Sequence, residues 1–307
     1  DLPPISRPKW RAVTRTFERI SALRRTMRDE RPDVVISFLT KMNVMASEAA
    51  SALGVPVIIS ERNNPYVQRF DRFWDIGRAV AFPKAFAFVT MTEGAARFFP
   101  ERQRPRTRII PNPVAAMPQK VDLGRRGGSL VAVGRLTGQK RFDRLLEAFA
   151  RIEGDFPNWT LTIWGEGELR GELEALRDRL GLAGRATLPG LTERPGAWAT
   201  TADVLALSSD YEGWPNVVIE ALSAGVPVVA ADCEFGVREI LRNGEFGLMF
   251  PKDDISAFAA TLARMLGDAE LRASMSAKGV TAAQRYSPAA IAAQWDALIE
   301  EAVRATR

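Results

Sequence analysis

A strand–helix rhythm that runs through the first third of the chain, stops at a proline-bounded break and then starts again limits the available folds more than any other feature. Trp10, Val13, Phe17, Ile20, Leu23 and Met27 recur at intervals of three and four, one face of an amphipathic helix that Pro32 closes. Short apolar runs follow at residues 34–38, 55–60, 86–91 and 108–110, separated by helical stretches at 42–53, 69–82 and 93–99. Strands that are apolar throughout and alternate with helices describe a parallel sheet covered on both faces. Pro111-Asn112-Pro113 ends this first series.

After a polar linker over 114–127, strands are predicted at 130–133, 159–164, 187–188, 202–207, 226–231 and 246–250. Helices are predicted at 142–152, 168–180, 217–224 and 237–243, and more of them fill much of 253–306. The fold class is therefore α/β, with two tandem doubly wound, Rossmann-like domains and no sequence repeat between them. The expected boundaries are 1–113 and 114–288, with 289–307 a C-terminal helix packing back towards the first domain. Open α/β sheets bind ligands outside the carboxyl ends of their strands, so a cleft between the domains is expected to hold the site. The first element is a helix and only about four strands precede the break. The first domain is accordingly expected to lack an initial β-α-β segment.

Composition narrows the chemistry. The chain has 307 residues, room for about two domains, and is 46% hydrophobic and 26% charged, as folded globular proteins are. It contains no histidine and a single cysteine, Cys233. Ser-His-Asp and Cys-His catalysis, His-ligated metals, intramolecular disulfides and clustered-cysteine zinc sites are all excluded. Cys233 is expected to be a small buried residue. The net charge of +5 resides in residues 1–31, which hold nine basic and four acidic groups, while the remainder is balanced. No uncharged apolar run approaches the roughly 18 residues of a membrane span. The chain is expected to be cytoplasmic, with peripheral attachment to the inner face of the plasma membrane through residues 9–31 if their arginines meet anionic lipid. A nucleic-acid role lacks any recognition motif or interleaved aromatics.

Two segments carry the chemistry. In EGWPNVVIEALSAGVP (212–227), a strand ends, Glu212 and Gly213 form a turn, and a helix starts at about Pro215–Asn216. Pro suits a first helical position. The free N–H groups of Asn216, Val217 and Val218 form an anion site with the helix dipole. Glu212 before the helix and Glu220 inside it leave that terminus unquenched and could accept hydroxyl hydrogen bonds; the ordinary alternative is a turn Glu and a solvent-facing helical Glu. In GRLTGQKRFD (134–143), Arg135 follows a buried strand and Lys140 opens the next helix, which places two cations at the carboxyl end of the sheet. Arg141 is expected to be solvated.

Together, G-R-L-x-x-Q-K-x-F-D and E-G-W-P-N-V-V-I-E-A-L-x-x-G-x-P-V-V resemble the family 4 retaining glycosyltransferases of the GT-B fold, with Glu212 and Glu220 matching their E-x7-E motif. The resemblance covers about residues 34–300. It implies that Arg135 and Lys140 bind the donor diphosphate, that Glu212 holds the transferred sugar and that Glu220 holds the ribose. Gly134, Glu166 (in the G-x-G turn 165–167), Leu188, Gly190 and Gly213 complete the donor site it implies. Ser60-Glu61-Arg62-Asn63-Asn64-Pro65 resembles the branch acting on lipid-linked or exopolysaccharide glycans, with Glu61, Arg62 or Asn63 on the acceptor or sugar side in place of the histidine of many relatives. As plain structure, Asn63-Asn64-Pro65 is good turn chemistry. The implied reaction moves a sugar from a nucleotide-diphosphate donor, a UDP-sugar, to a saccharide or polyprenyl-diphosphate-linked acceptor, with no metal or other cofactor. The alternatives are a GT-B nucleotide-sugar epimerase and a basic adaptor for membrane or nucleic acid.

Overall fold

The computed structural model describes residues 9–117, 128–233 and 235–305, with side chains from residue 13 onward. The elements are α1 (Lys9–Glu30), β1 (Val35–Phe38), α2 (Thr40–Ser51), β2 (Val57–Ser60), α3 (Arg72–Ala81), β3 (Ala87–Thr90), α4 (Glu93–Ala96) and β4 (Thr107–Ile109). Then come β5 (Gly128–Val133), α5 (Phe142–Ala150), β6 (Trp159–Trp164), α6 (Arg170–Arg179), β7 (Ala186–Gly190) and β8 (Val204–Leu207). They are followed by α7 (Asn216–Ser223), β9 (Val228–Ala231), α8 (Val237–Leu241), β10 (Leu248–Phe250), α9 (Ile255–Gly267), α10 (Ala269–Ala283) and α11 (Pro288–Arg304). The chain divides into two compact units, Asp1–Ile110 with Ala292–Arg307, and Pro111–Ile291. No helix of the described residues is long and apolar enough to cross a membrane.

In the first unit the strands pair in parallel in the order β1-β2-β3-β4. β2 and β3 are buried along their whole length, the reason each runs three apolar residues before ending on one buried hydroxyl, Ser60 or Thr90. Val57, Ile59, Phe88, Ala49, Ala50, Phe82 and Phe99 form the core, with Met27 buried against it and Ile20 and Leu23 partly so. Phe17 departs from the predicted stripe. It is 61% exposed, and Thr16 is buried instead. A stripe through 16, 20, 23 and 27 keeps the 3.6-residue period, and residue 17 falls beside it. Trp10 lies outside the described side chains, as do Lys9 and Arg11. At the other end of the chain, α11 buries Leu298 and Ala302, its Trp295 ring lies 5.8 Å from Phe38, and Glu301 pairs with Arg108 at 3.1 Å.

The second unit is a six-stranded parallel sheet in the order β10-β9-β8-β5-β6-β7. The chain winds outward from β5 through β6 and β7, then returns to the opposite side of β5 with β8, β9 and β10. Leu130, Val131, Leu161, Ile163, Val204, Leu205, Val228 and Val229 are fully buried in it. The reversal falls between β5 and β8, the place in such a sheet where a ligand site is expected. Gly128, directly after the expected linker, is the first residue of β5, two residues before the predicted strand start; residues 118–127 lie outside the described residues.

Candidate active site

The loops after β5 and β8, adjacent parallel strands, meet at the point of reversal. Lys140 does not open a helix as predicted. It ends a single 3-10 turn, Gly138–Lys140; Arg141 then takes left-handed angles (φ 49, ψ 42) and α5 begins at Phe142. The lysine stem thereby folds back over Gly134, where a Cβ would stand 3.1 Å from Lys140 Cε. Its Nζ donates to Glu212 Oε1 at 2.6 Å. Ser209 Oγ donates to the same oxygen at 2.7 Å. Glu212 is buried, and its Oε2 has no hydrogen-bond partner among the described residues. Cys233 Sγ donates to the Ser209 carbonyl at 3.1 Å. Burial, with the nearby Glu212 charge second, pushes the Cys233 thiol up to about 12, so this buried cysteine is no nucleophile.

The two loops are stitched together. Ser208 Oγ donates to the Lys140 carbonyl at 2.7 Å, Asp210 N–H to the Gln139 carbonyl at 2.9 Å, and Gln139 Nε2 to the Tyr211 carbonyl at 2.8 Å. Arg144 pairs with Asp210 at 2.7 Å. Arg141, expected in solvent, is half-buried and pairs with Asp143 at 2.7 Å and Asp210 at 3.3 Å. Its hydrogen bond to Asp143 raises the guanidinium further above its already high ordinary range. The left-handed backbone at Arg141, invisible to a propensity argument, turns this side chain inward. Arg135 is exposed and makes no ion pair among the described residues.

Glu212 leads through Gly213 into α7. Pro215 is not the first helical residue but the N-cap (φ −76, ψ 89), no side chain caps the helix, and its first turn holds no acid. The Val218 N–H is taken by the Pro215 carbonyl at 3.0 Å. Asn216 and Val217 therefore supply the open donors of the predicted trio. Asn216 Oδ1 also accepts from Asn112 Nδ2 at 3.2 Å. Glu220, one turn on, is half-buried rather than solvent-facing. Burial raises its carboxyl and a hydrogen bond with Trp198 opposes that.

The third loop of this site is the turn after β6. Gly134 N–H donates to the Trp164 carbonyl at 2.9 Å, Leu136 N–H to the Glu166 carbonyl at 2.9 Å, and Gly165 N–H to the Gly190 carbonyl at 2.8 Å. The backbones are so close that a Cβ at Gly165 would stand 1.8 Å from the Gly134 oxygen. Arg170, where a dinucleotide fingerprint would need glycine, clasps Glu166 at 2.8 and 2.7 Å and donates to the Leu188 carbonyl at 2.9 Å. Its hydrogen bonds hold the Glu166 carboxyl below the usual range. Leu188 is buried.

In the first unit, Glu61 follows β2 and is buried. Thr40 Oγ donates to its Oε2 at 2.6 Å and Asn43 Nδ2 to its Oε1 at 2.7 Å. Burial raises its carboxyl above the ordinary value, and those two hydrogen bonds offset part of the rise. Arg62 donates to the Ile110 carbonyl at 2.9 Å, with its guanidinium carbon 5.4 Å from the Phe38 ring centre and 5.5 Å from that of Trp295. Burial lowers it to about 10. Asn63 is the one of the three that is exposed, and Asn64 Oδ1 accepts from the Tyr66 N–H at 2.9 Å, the turn geometry expected of it. The structure thus brings Lys140, Glu212, Gly134 and the α7 start together where the loops after β5 and β8 meet. Ser208, Asp210, Thr40 and Asn43 were missed in sequence because the partners of their side chains, Lys140, Arg141, Arg144 and Glu61, lie 18 to 69 residues away, and Ser209, three residues from Glu212, because serine is too common in type to stand out. Among the described residues no three acidic or cysteine side chains gather where they could hold a metal ion.

At this strand-order reversal lie Lys140, the uncapped start of α7 and the carboxylates of Glu212 and Glu220. Residues 117–281 match the family model of the glycosyl transferases group 1, and residues 1–115 that of the glycosyl transferase 4-like domain; the chain belongs to the group 1 glycosyl transferases. An exopolysaccharide phosphotransferase of Streptomyces coelicolor is 31% identical over 304 residues, 96% of this chain, which spans only 31% of that relative's length. A Campylobacter jejuni α-1,4-N-acetyl-D-galactosaminyltransferase acting on an undecaprenol-diphosphate-linked glycan is 28% identical over 295 residues, covering 95% of this chain and 81% of its own. Among solved structures, Anabaena HepE in complex with UDP superposes with a TM-score of 0.82 at 19% identity, over 92% of this chain and 82% of its own. The WaaB lipopolysaccharide galactosyltransferase gives 0.76 at 20% identity over 94% and 81%. The fold is GT-B.

Proposed function

We propose that this chain is a retaining, family 4 glycosyltransferase that moves a hexose-type sugar from a UDP-sugar to a saccharide acceptor carried on a polyprenyl diphosphate. The observation that carries the reading is the Lys140–Glu212 pair, 2.6 Å apart, just ahead of the uncapped start of α7. In the reaction the bond between the anomeric carbon and the donor's β-phosphate oxygen breaks, and negative charge grows on the departing diphosphate. Donors already aimed at that charge supply the largest share of rate acceleration in sites of this kind. Lys140, Arg135 and the Asn216 and Val217 N–H groups are those donors. As Lys140 turns to the phosphate, Glu212 is released to accept hydroxyl hydrogen bonds from the sugar, and Glu220 accepts those of the ribose. No metal is needed for this arrangement. With no histidine available, the departing phosphate oxygen takes the acceptor proton on the same face of the sugar, which keeps the anomeric configuration. Asn63 is the exposed polar group that meets the acceptor. The undecaprenol-linked acceptor named for the Campylobacter relative and the UDP bound by HepE support this choice of substrates.

The test is proton NMR of the full chain with UDP-sugars and a polyprenyl-diphosphate-linked saccharide. The reading expects a new glycosidic signal with the donor's anomeric configuration, formed only with acceptor. An altered nucleotide sugar formed without acceptor, or an inverted linkage, contradicts it.

A further inference from the structure

Helix α3 carries its large apolar side chains on the side away from its own unit. The inward face is formed by Trp74, Gly77, Arg78 and Ala81. Ala81 is fully buried, and a Cβ at Gly77 would meet Val44 of α2 at 3.1 Å. Lys41 lies over the Trp74 ring at 5.3 Å and Arg78 over Phe98 at 4.9 Å. Phe73, Ile76 and Val80, spaced i, i+3, i+7 and so on one face, are 37%, 55% and 54% exposed. A helix covering a core would be turned the other way.

The outward face is continued on both flanks. Tyr66 and Val67, in the loop before α3, are 52% and 47% exposed, and Tyr66 packs edge-on at 5.3 Å against Phe98, the ring Arg78 covers. Leu39 and Met42, flanking Lys41 in sequence, are exposed as well. Scattered exposed apolar residues are ordinary; a gathered set of this kind marks an interaction surface. Its charge selects the partner. Lys41, Arg69 and Arg72 are exposed and make no ion pair among the described residues. The local acids are committed, Asp71 to capping α3 through the Phe73 and Trp74 N–H groups and Asp75 to Arg78 at 3.5 Å. Helix α1 has more arginines, but among its described side chains the apolar stripe is turned inward and only Phe17 stands out.

We propose that the face made by Tyr66, Val67, Phe73, Ile76 and Val80 lies on an anionic lipid bilayer, with the apolar side chains at the acyl boundary and Lys41, Arg69 and Arg72 at the headgroups. A second copy of the chain would set the same cations against each other, whereas anionic lipid neutralises them. The docking stands on this surface alone. Its consequence for the acceptor, that residues 61–64 run directly into the docked loop, rests on the transferase reading.

The experiment is sedimentation of the full chain with phosphatidylcholine vesicles containing or lacking phosphatidylglycerol. The wild type binds the anionic vesicles. The triple variant Phe73→Ser, Ile76→Ser, Val80→Ser, altered only at exposed positions, binds roughly tenfold more weakly or less, as does Arg69→Glu with Arg72→Glu. UDP titration of the same variants reports folding and the donor site separately, so failure of UDP to bind would count against the transferase reading and not against docking. Undiminished vesicle binding by the triple variant overturns the proposal. So does a concentration-dependent dimer of the wild type that the triple variant abolishes, or binding lost on Arg25→Glu with Arg28→Glu in α1 and not on the α3 variants.

Discussion

At the scale of single residues, the carboxylates of this chain are set apart by what neutralises them. Glu212 has a cation and a hydroxyl on one oxygen; Glu61 has two neutral donors and no cation at bonding distance. Neutral donors compensate less of the cost of burying a charge, and the Glu61 carboxyl is accordingly raised from 4.5 in the folded chain. The folded state then keeps this proton to higher pH than the unfolded chain does. Stability from this group is greatest below the ordinary glutamate value and falls as pH rises through the interval up to the folded value. Glu61→Gln removes that titration. Thermal melts across this range should show the wild type losing stability relative to Glu61→Gln as pH rises; a constant difference would contradict the assignment. At this scale the sequence is readable where a residue's neighbours are local. The 134–143 and 212–220 segments present Lys140, Glu212 and Glu220 through their place between strand and helix. The Ser208–Lys140 bond, the Arg141–Asp210 pair and the Thr40–Glu61 contact depend on which strands become neighbours, and apolar patterning does not specify that.

Elements show the same division. The rhythm of strands was readable because parallel strands buried on both faces are almost purely apolar, and helix starts and ends were marked by proline and glycine. The direction in which a short helix faces was not. The pattern in α3 identifies an amphipathic helix, but whether the Phe73–Ile76–Val80 side meets the core is decided by Gly77, whose missing side chain lets α2 approach on the opposite side. Glycine has a comparable part in the site, where the loops after β5 and β6 touch through backbone. At Gly165 (φ 150) a methyl group would overlap the Gly134 carbonyl. Gly165→Ala should therefore cost about 1–3 kcal/mol of stability and weaken UDP binding, because it displaces the loop that carries Arg135 and Lys140. Denaturant unfolding and titration together check this. Wild-type values for both would mean that the two loops do not need this close approach.

For the molecule as a whole, the two units share an architecture and differ in winding. The described strands of the first follow chain order across the sheet, while those of the second reverse between β8 and β5. That reversal brings residues some 70 positions apart, such as Lys140 and Glu212, into contact, and the donor site proposed above lies there. Calorimetric titration of UDP into the full chain, compared with Lys140→Ala and Arg135→Ala, tests this assignment most directly. Circular dichroism establishes that each variant is folded, and the exposed Arg135 supplies a variant with no buried partner to strand. The account predicts that UDP binds the wild type and that each substitution weakens it by roughly tenfold or more, as expected when a charged phosphate contact is lost. UDP binding of equal strength in all three folded proteins would contradict it.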